Sequence, residues 1–276
     1  MILAGVQLAR RLEAAEAANG AQCAAAQNSI DPDSGATVLQ SAGGWAIYVG
    51  AETPLSRAVG LGLWGLVRGA ELDAVERFYH ERNAASTVDL CPLADPSIID
   101  LLRDRGYGIT EFNHALVRLS GPVDAVQSEQ VAIRPAEGHE ECLWSETVGR
   151  GFLEKDELFR QELDIGRTIF RIPGVRCYLA YWGGRAVGAA ALSIHDGLAV
   201  LFADSTVTAF RGLGVQSALI RERLRAAFGE GCDLATASTL PGSKSQRNYE
   251  RCGFQVVYTK PTLVRQADKA ESSDSI

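Results

Sequence analysis

The run with the clearest chemical potential is Arg211-Gly212-Leu213-Gly214-Val215-Gln216-Ser217. It joins an apolar, strand-like segment (Leu198 to Val207) to a stretch in which Ile220, Leu224, Ala227 and Phe228 share one helical face. A glycine-rich turn opening a helix attracts anions. The first N–H groups of the helix have no intrahelical partner, glycine lets a ligand approach the backbone, and the helix dipole favours negative charge. A diphosphate suits such a turn. By itself the Arg-Gly-Leu-Gly run reads equally well as a tight strand-to-helix turn with an exposed arginine, so its surroundings must decide.

Those surroundings contain a repeat. Arg105-Gly106-Tyr107 leads into Ala115-Leu116-Val117-Arg118, and Cys252-Gly253-Phe254 leads into Thr262-Leu263-Val264-Arg265; the offset is 253 − 106 = 147 and again 264 − 117 = 147. Carried backward, the offset sets the amphipathic stretch Glu71 to Arg82 over that from Ala218 to Gly229. In the first copy Leu72, Val75, Phe78 and Tyr79 share a face. Each helix is followed by an apolar strand candidate, Thr87 to Cys91 and Asp233 to Ala237. A short helix follows each strand and stops at Gly106 or Gly253, with Asp95-Pro96 capping the first. The halves therefore read as copies of one fold, residues 1–120 and 131–266, joined by a linker at 121–130 and followed by a polar, serine-rich tail at 267–276 that is expected to be disordered.

In the second half, Val131 to Pro135 starts a strand, helices are expected at about 139–150 and 155–169, and three strands follow at Cys177 to Trp182, Ala186 to Ser193 and Leu198 to Val207. Gly183-Gly184 and Asp196-Gly197 are hairpin turn pairs, so these three strands should be antiparallel neighbours. The order is βααβββαβαβ. The 147-residue offset also puts Trp64-Gly65-Leu66-Val67-Arg68 where the second half has Arg211-Gly212-Leu213-Gly214-Val215. Valine replaces the second glycine, so the first copy should not hold an anion there. Gly60-Leu61-Gly62-Leu63, inside an apolar run, reads as a structural turn.

In its second half the chain resembles the GNAT superfamily of acyl-CoA-dependent N-acetyltransferases, whose R/Q-x-x-G-x-G/A loop is matched by Arg211-x-x-Gly214-x-Gln216 with a departure at Gln216. A second landmark is Tyr249-Glu250-Arg251-Cys252-Gly253-Phe254. The resemblance covers about residues 130–265 and implies an α+β fold. Through the repeat alone this extends to an expectation of two GNAT-like domains in tandem, each a mixed, mostly antiparallel sheet flanked by helices, with the N-terminal copy degenerate. The resemblance further implies acetyl-CoA as co-substrate, without a metal. The binding set it points to is Thr206 and Val207 along the pantetheine arm, the loop Arg211, Gly212, Leu213, Gly214, Val215, Gln216 and Ser217, and Asn248 hydrogen-bonding the same arm. Tyr249 is implied as the acid that protonates the departing thiolate, and Asp204 as a base acting through water. His139 and Glu140 look like helix-start residues, and His195 like a solvated turn residue.

A formal charge of −7 argues against a nucleic-acid partner. No apolar run reaches membrane-spanning length, no signal-peptide core is evident, and the six cysteines are scattered without a CxxC pair. A cytoplasmic protein with mostly buried, reduced thiols is expected. The leading expectation is acetyl transfer to a primary amine of a small molecule or peptide, with a homodimer left open. The alternative is a non-catalytic acyl-CoA-binding regulatory module.

Overall fold

A computed structural model describes residues 2–51, 53–124 and 130–266. Residues 125–129 of the expected linker, and the tail at 267–276, lie outside the described residues. The chain opens with α1 (Val6–Ile30), an element without a counterpart in the sequence reading. Its buried face is built largely of small residues, Ala9, Ala15, Ala17, Ala24 and Ala26, which let the helix lie close to both halves.

The first half continues as β1 (Thr37–Ser41), β2 (Gly44–Tyr48), β3 (Ala58–Val59), α2 (Gly69–His80), β4 (Ser86–Asp89), α3 (Ser97–Asp104) and β5 (Gly108–Leu119). The second half is β6 (Val131–Pro135), α4 (Glu141–Leu153), α5 (Arg160–Phe170), β7 (Arg176–Trp182), β8 (Arg185–His195), β9 (Leu198–Thr206), α6 (Val215–Gly229), β10 (Leu234–Thr239), α7 (Lys244–Arg251) and β11 (Gln255–Arg265). The repeat is realised residue for residue in places: 97 + 147 = 244 and 104 + 147 = 251 are the bounds of α3 and α7. Both hairpin turns have positive φ at their two central residues, 55° and 80° at Gly183 and Gly184, 46° and 74° at Asp196 and Gly197. Such turns match the twist of the strands they join.

Among the described residues eleven strands form one mixed sheet in the order β1-β2-β3-β4-β11-β5-β10-β9-β8-β7-β6, flanked by helices. The two halves thus share a sheet, and they do so by exchanging their last strands. β5 of the first half lies antiparallel to β10, with Val117 opposite Thr236. β11 of the second half lies antiparallel to β4, with Leu263 opposite Val88. β5 and β11 then pair with each other at the centre. Parallel pairs recur at equivalent places, β3 with β4 and β9 with β10. Separate apolar cores pack under α6 (Leu219, Ile220, Leu224 with Leu192, Leu201) and under α2 and α3 (Leu72, Val75, Ile98, Leu102).

Candidate active site

At the loop, Gly212 and Gly214 have φ of 80° and 83°, values that other residues rarely adopt, and a Cβ on either would meet nothing within 4 Å. Gly214 is the N-cap of α6, no side chain caps that end, and no acidic residue stands in its first turn. Open space thus lies in front of donors that helix geometry leaves unmatched. Arg211 braces the loop from behind: Nη1 lies 2.6 Å from Glu154 Oε1, Nη2 donates to Gly151 O at 2.7 Å and Nε to Thr206 O at 3.3 Å. Its guanidinium holds the loop to the end of α4. Leu213 is exposed, whereas Val215 is buried beneath α6.

The first-half loop differs in the way that matters for an anion. Arg68 N donates to Glu71 Oε2 at 2.8 Å, and Val67 N donates to Ser97 Oγ at 2.9 Å. The start of α2 already carries its own carboxylate. Trp64 lies exposed, with the Arg10 guanidinium 4.3 Å from its ring centroid. Gly60 and Gly62 form a structural turn, in which Gly62 N donates to Ala42 O and its carbonyl accepts from Asp95 N, both at 2.8 Å.

Between β9 and β10 the ladder has three register pairs, ending at Val200 opposite Thr236, although β9 continues to Thr206 and β10 to Thr239. The strands splay from that point. On its other side β9 is bulged: Ala189 opposes Ser205 and Ala191 opposes Phe202, so Ala203 and Asp204 share Ala190, and Ala203 has φ 54°. Val207 N donates to Val187 O, and Thr206 O accepts from Arg211. What is left over is the Thr206 hydroxyl, which is buried and unpartnered, as is that of Thr239 at the end of the other splayed strand. Two buried polar atoms without partners are costly unless a ligand matches them. Their position suits an arm carrying amide groups, and the open loop beyond suits its diphosphate.

Asp204 and Tyr249 come together, but not as an acid and a free base. The Asp204 carboxylate forms a bidentate pair with the fully buried Arg223 guanidinium, with Nη1 to Oδ2 at 3.1 Å, and also accepts the Tyr249 hydroxyl at 2.7 Å. Arg223 Nη1 donates further to Ala191 O at 2.8 Å. Burial, and then the Asp204 charge, push the Tyr249 phenol well above 10. Losing its proton would leave two anions side by side with one cation. A phenol so held is a poor acid toward a thiolate. The geometry makes these residues a brace joining β9, α6 and α7. Arg223 was missed in the sequence, yet a lone arginine inside the apolar stripe Leu219, Ile220, Leu224 and Ala227 was its signal.

Gln216, the departure from the loop pattern, turns toward α7: its Nε2 donates to Ser245 Oγ and its Oε1 accepts from Asn248 Nδ2, both at 2.8 Å. Asn248 therefore spends one of its two amide N–H donors on the loop. Ser217 is half-buried on the first turn of α6. His195, expected to be solvated, is half-buried, with Nε2 2.6 Å from Asn19 Oδ1 on α1, and burial lowers its pKa. Glu140 starts the segment before α4 and accepts two N–H groups of Arg134. Among the described residues no group of three or more His, Cys, Asp or Glu could hold a metal ion, and no helix is long and apolar enough to cross a membrane. All six cysteines are free and only Cys142 is exposed.

A cavity of about 500 Å³ opens beside the splay, where Val200, Leu201 and Phe202 of β9 and Thr236, Ala237 and Ser238 of β10 line it. Its other walls come from both halves, including α1 (Leu12, Glu16), β5 (Glu111, Asn113) and α4 (Phe152).

Residues 139–254 match the model of the acetyltransferase (GNAT) family. No curated protein matches the chain. Among solved structures, a GCN5-related N-acetyltransferase from Kribbella flavida is similar at 20% identity, covering 91% of this chain and 97% of its own, with a TM-score of 0.64. One from Sphaerobacter thermophilus is similar at 18% identity over 84% and 76%, TM-score 0.58. A tandem GNAT protein from the clavulanic acid biosynthesis pathway is similar at 13% identity over 85% and 83%, TM-score 0.61. At these identities the likenesses bear on the fold alone.

Proposed function

We propose that the protein transfers an acetyl group from acetyl-CoA to a primary amine of a small molecule or peptide, a reading supported by the match of residues 139–254 to the acetyltransferase (GNAT) family model. The two halves, 1–120 and 131–266, are read as GNAT-like units of which only the second binds the donor. The observation that carries the reading is the contrast between two helix starts. α6 opens on two positive-φ glycines with no cap and no acid, whereas α2 is closed by Glu71.

In this reading acetyl-CoA supplies a thioester carbonyl and a thiolate leaving group. The backbone of Gly212 to Ser217 holds its diphosphate, and the Thr206 and Thr239 hydroxyls hydrogen-bond its amide-bearing arm. The bulge at Ala203 and Asp204 shapes the strand beside the reacting carbon, where a backbone N–H can polarise its carbonyl. Arg223, Asp204 and Tyr249 keep that bulge in position without exchanging protons with the substrate. The amine and the thiolate then exchange their protons with solvent. The cavity between the halves receives the acceptor, so the first half contributes a wall instead of a second donor site. The free thiols, five of them buried, accord with a cytoplasmic setting.

A second reading, acyl-CoA binding without turnover, draws on the same brace, because both catalytic candidates are engaged in it. Thiol release separates the two readings. The transferase reading expects free CoA thiol from acetyl-CoA only when an accepted amine is present, and loss of release in Gly214→Val. Tight CoA binding with no thiol across a broad amine panel would favour the binding module.

A further inference from the structure

We propose that the acceptor carries, besides the reacting amine, a second cationic group about 13 Å away and no carboxylate, and that Glu111 holds this distal cation. The inference rests on the transferase reading and names its substrate class. It starts from the charges of the cavity. Three carboxylates line it, Glu16, Asp89 and Glu111, against two cations, Arg57 and Lys260. Both cations are already matched. Arg57 Nη1 lies 2.8 Å from Asp89 Oδ2, and Lys260 Nζ lies 2.6 Å from Glu16 Oε2 and 3.2 Å from Glu13 Oε1. The Glu111 carboxylate accepts from the Asn113 amide at 3.1 Å, and no ion pair holds it among the described residues. A ligand carboxylate would find no uncommitted cation and would add to an excess of negative charge, whereas a cation would find Glu111.

The distance follows from strand register. The reacting amine must lie where β9 and β10 part, beside Thr236, Ala237 and Ser238. Ser238 is opposite Ala115 on β5, and Glu111 lies four residues further along that strand, about 13 Å at roughly 3.3 Å per residue. One ammonium cannot serve both places. The walls that include Leu12, Ile47, Leu55, Val59, Phe152 and Ile169 are apolar, so the body joining the two nitrogens is apolar too. The volume, about 500 Å³, is that of an ordinary small-molecule site. In the transfer itself the neutral amine nitrogen forms a bond to the acetyl carbon, the C–S bond breaks with its electron pair on sulfur, and the proton lost by nitrogen balances the one gained by the thiolate.

The test compares three acceptors of one length, 1,9-diaminononane, 1-aminononane and 9-aminononanoate, by thiol release from acetyl-CoA with the full chain, and by calorimetric titration into CoA-loaded protein. The expected kcat/KM order is diamine over monoamine by tenfold or more, with the amino acid lowest. Glu111→Gln should narrow the diamine-to-monoamine ratio below threefold, and Glu111→Lys should reverse the order of diamine and amino acid. Equal rates for the three acceptors, or a ratio untouched by Glu111→Gln, would overturn the assignment. If CoA binds and no acceptor releases thiol, the transferase reading fails by itself. Diamine affinity, expected to drop tenfold in Glu111→Gln, still judges Glu111; an unchanged affinity rejects its role.

Discussion

Transplanting the cap of α2 onto α6 should close the donor site without harming the fold. In α2 the N-cap is Arg68 and the carboxylate three residues on, Glu71, accepts from Arg68 N at 2.8 Å. In α6 the N-cap is Gly214, and the residue three on is the half-buried Ser217. Ser217→Glu therefore offers a carboxylate to the amides that the account assigns to diphosphate. At about 5 Å and an effective dielectric constant of about 40 for a wet loop, each pair of like charges repels by about 1.7 kcal/mol. Two phosphate charges give about 3 kcal/mol before salt screening and about 2 kcal/mol after it. That is a loss of roughly 30- to 150-fold in CoA affinity. The helix itself should gain about 0.3–1 kcal/mol from an acid at its start. Titration calorimetry with CoA and thermal melting of the ligand-free protein read the two effects separately. Unchanged CoA affinity, or a loss that only tracks lower stability, would refute the reasoning.

Other expectations follow from the brace and the surface ion pairs. Tyr249→Phe removes one donor from the buried Asp204; stability should drop by about 1–3 kcal/mol, with kcat reduced less than tenfold and its pH profile unmoved. A hundredfold loss of kcat with an altered profile would instead make Tyr249 the acid. Arg223→Met leaves Asp204 buried without its cation, and denaturant titration should show a loss of about 3–5 kcal/mol, largely recovered when Asp204→Asn is added. Glu140 is held at about 2, first by Arg134 and then by the Glu137 N–H. Its folded pKa lies below the unfolded value, so its contribution is present above about pH 4.5 and is lost as pH falls toward 2. Glu140→Gln should flatten that acid limb in melts taken from pH 5 to pH 2, and an unaltered slope would count against the pairing.

Much of the second half was legible because its signals are local. The pairs Gly183-Gly184 and Asp196-Gly197 fixed two hairpins, and the offset of 147 carried α6, β10 and α7 over to α2, β4 and α3. The exchange of β5 and β11 was not legible. Both strands follow a short helix and carry a Leu-Val-Arg run, so either could lie beside β4 or β10, and only tertiary packing chooses. Helix α1 was hidden because its buried face is alanine, which carries little apolar contrast. At the site, glycine positions exposed the loop, but side-chain partners did not show: the pairing of Asp204 with Arg223, and of Gln216 with Asn248, brings together residues 19 and 32 positions apart.

A structure of the protein crystallised with CoA tests the central claim most directly. The account predicts the diphosphate against the main-chain N–H groups between Gly212 and Ser217, with the pantetheine arm between β9 and β10 near the Thr206 and Thr239 hydroxyls. Diphosphate bound beside Trp64 at the start of α2, or an arm that bypasses the splayed strands, would contradict it.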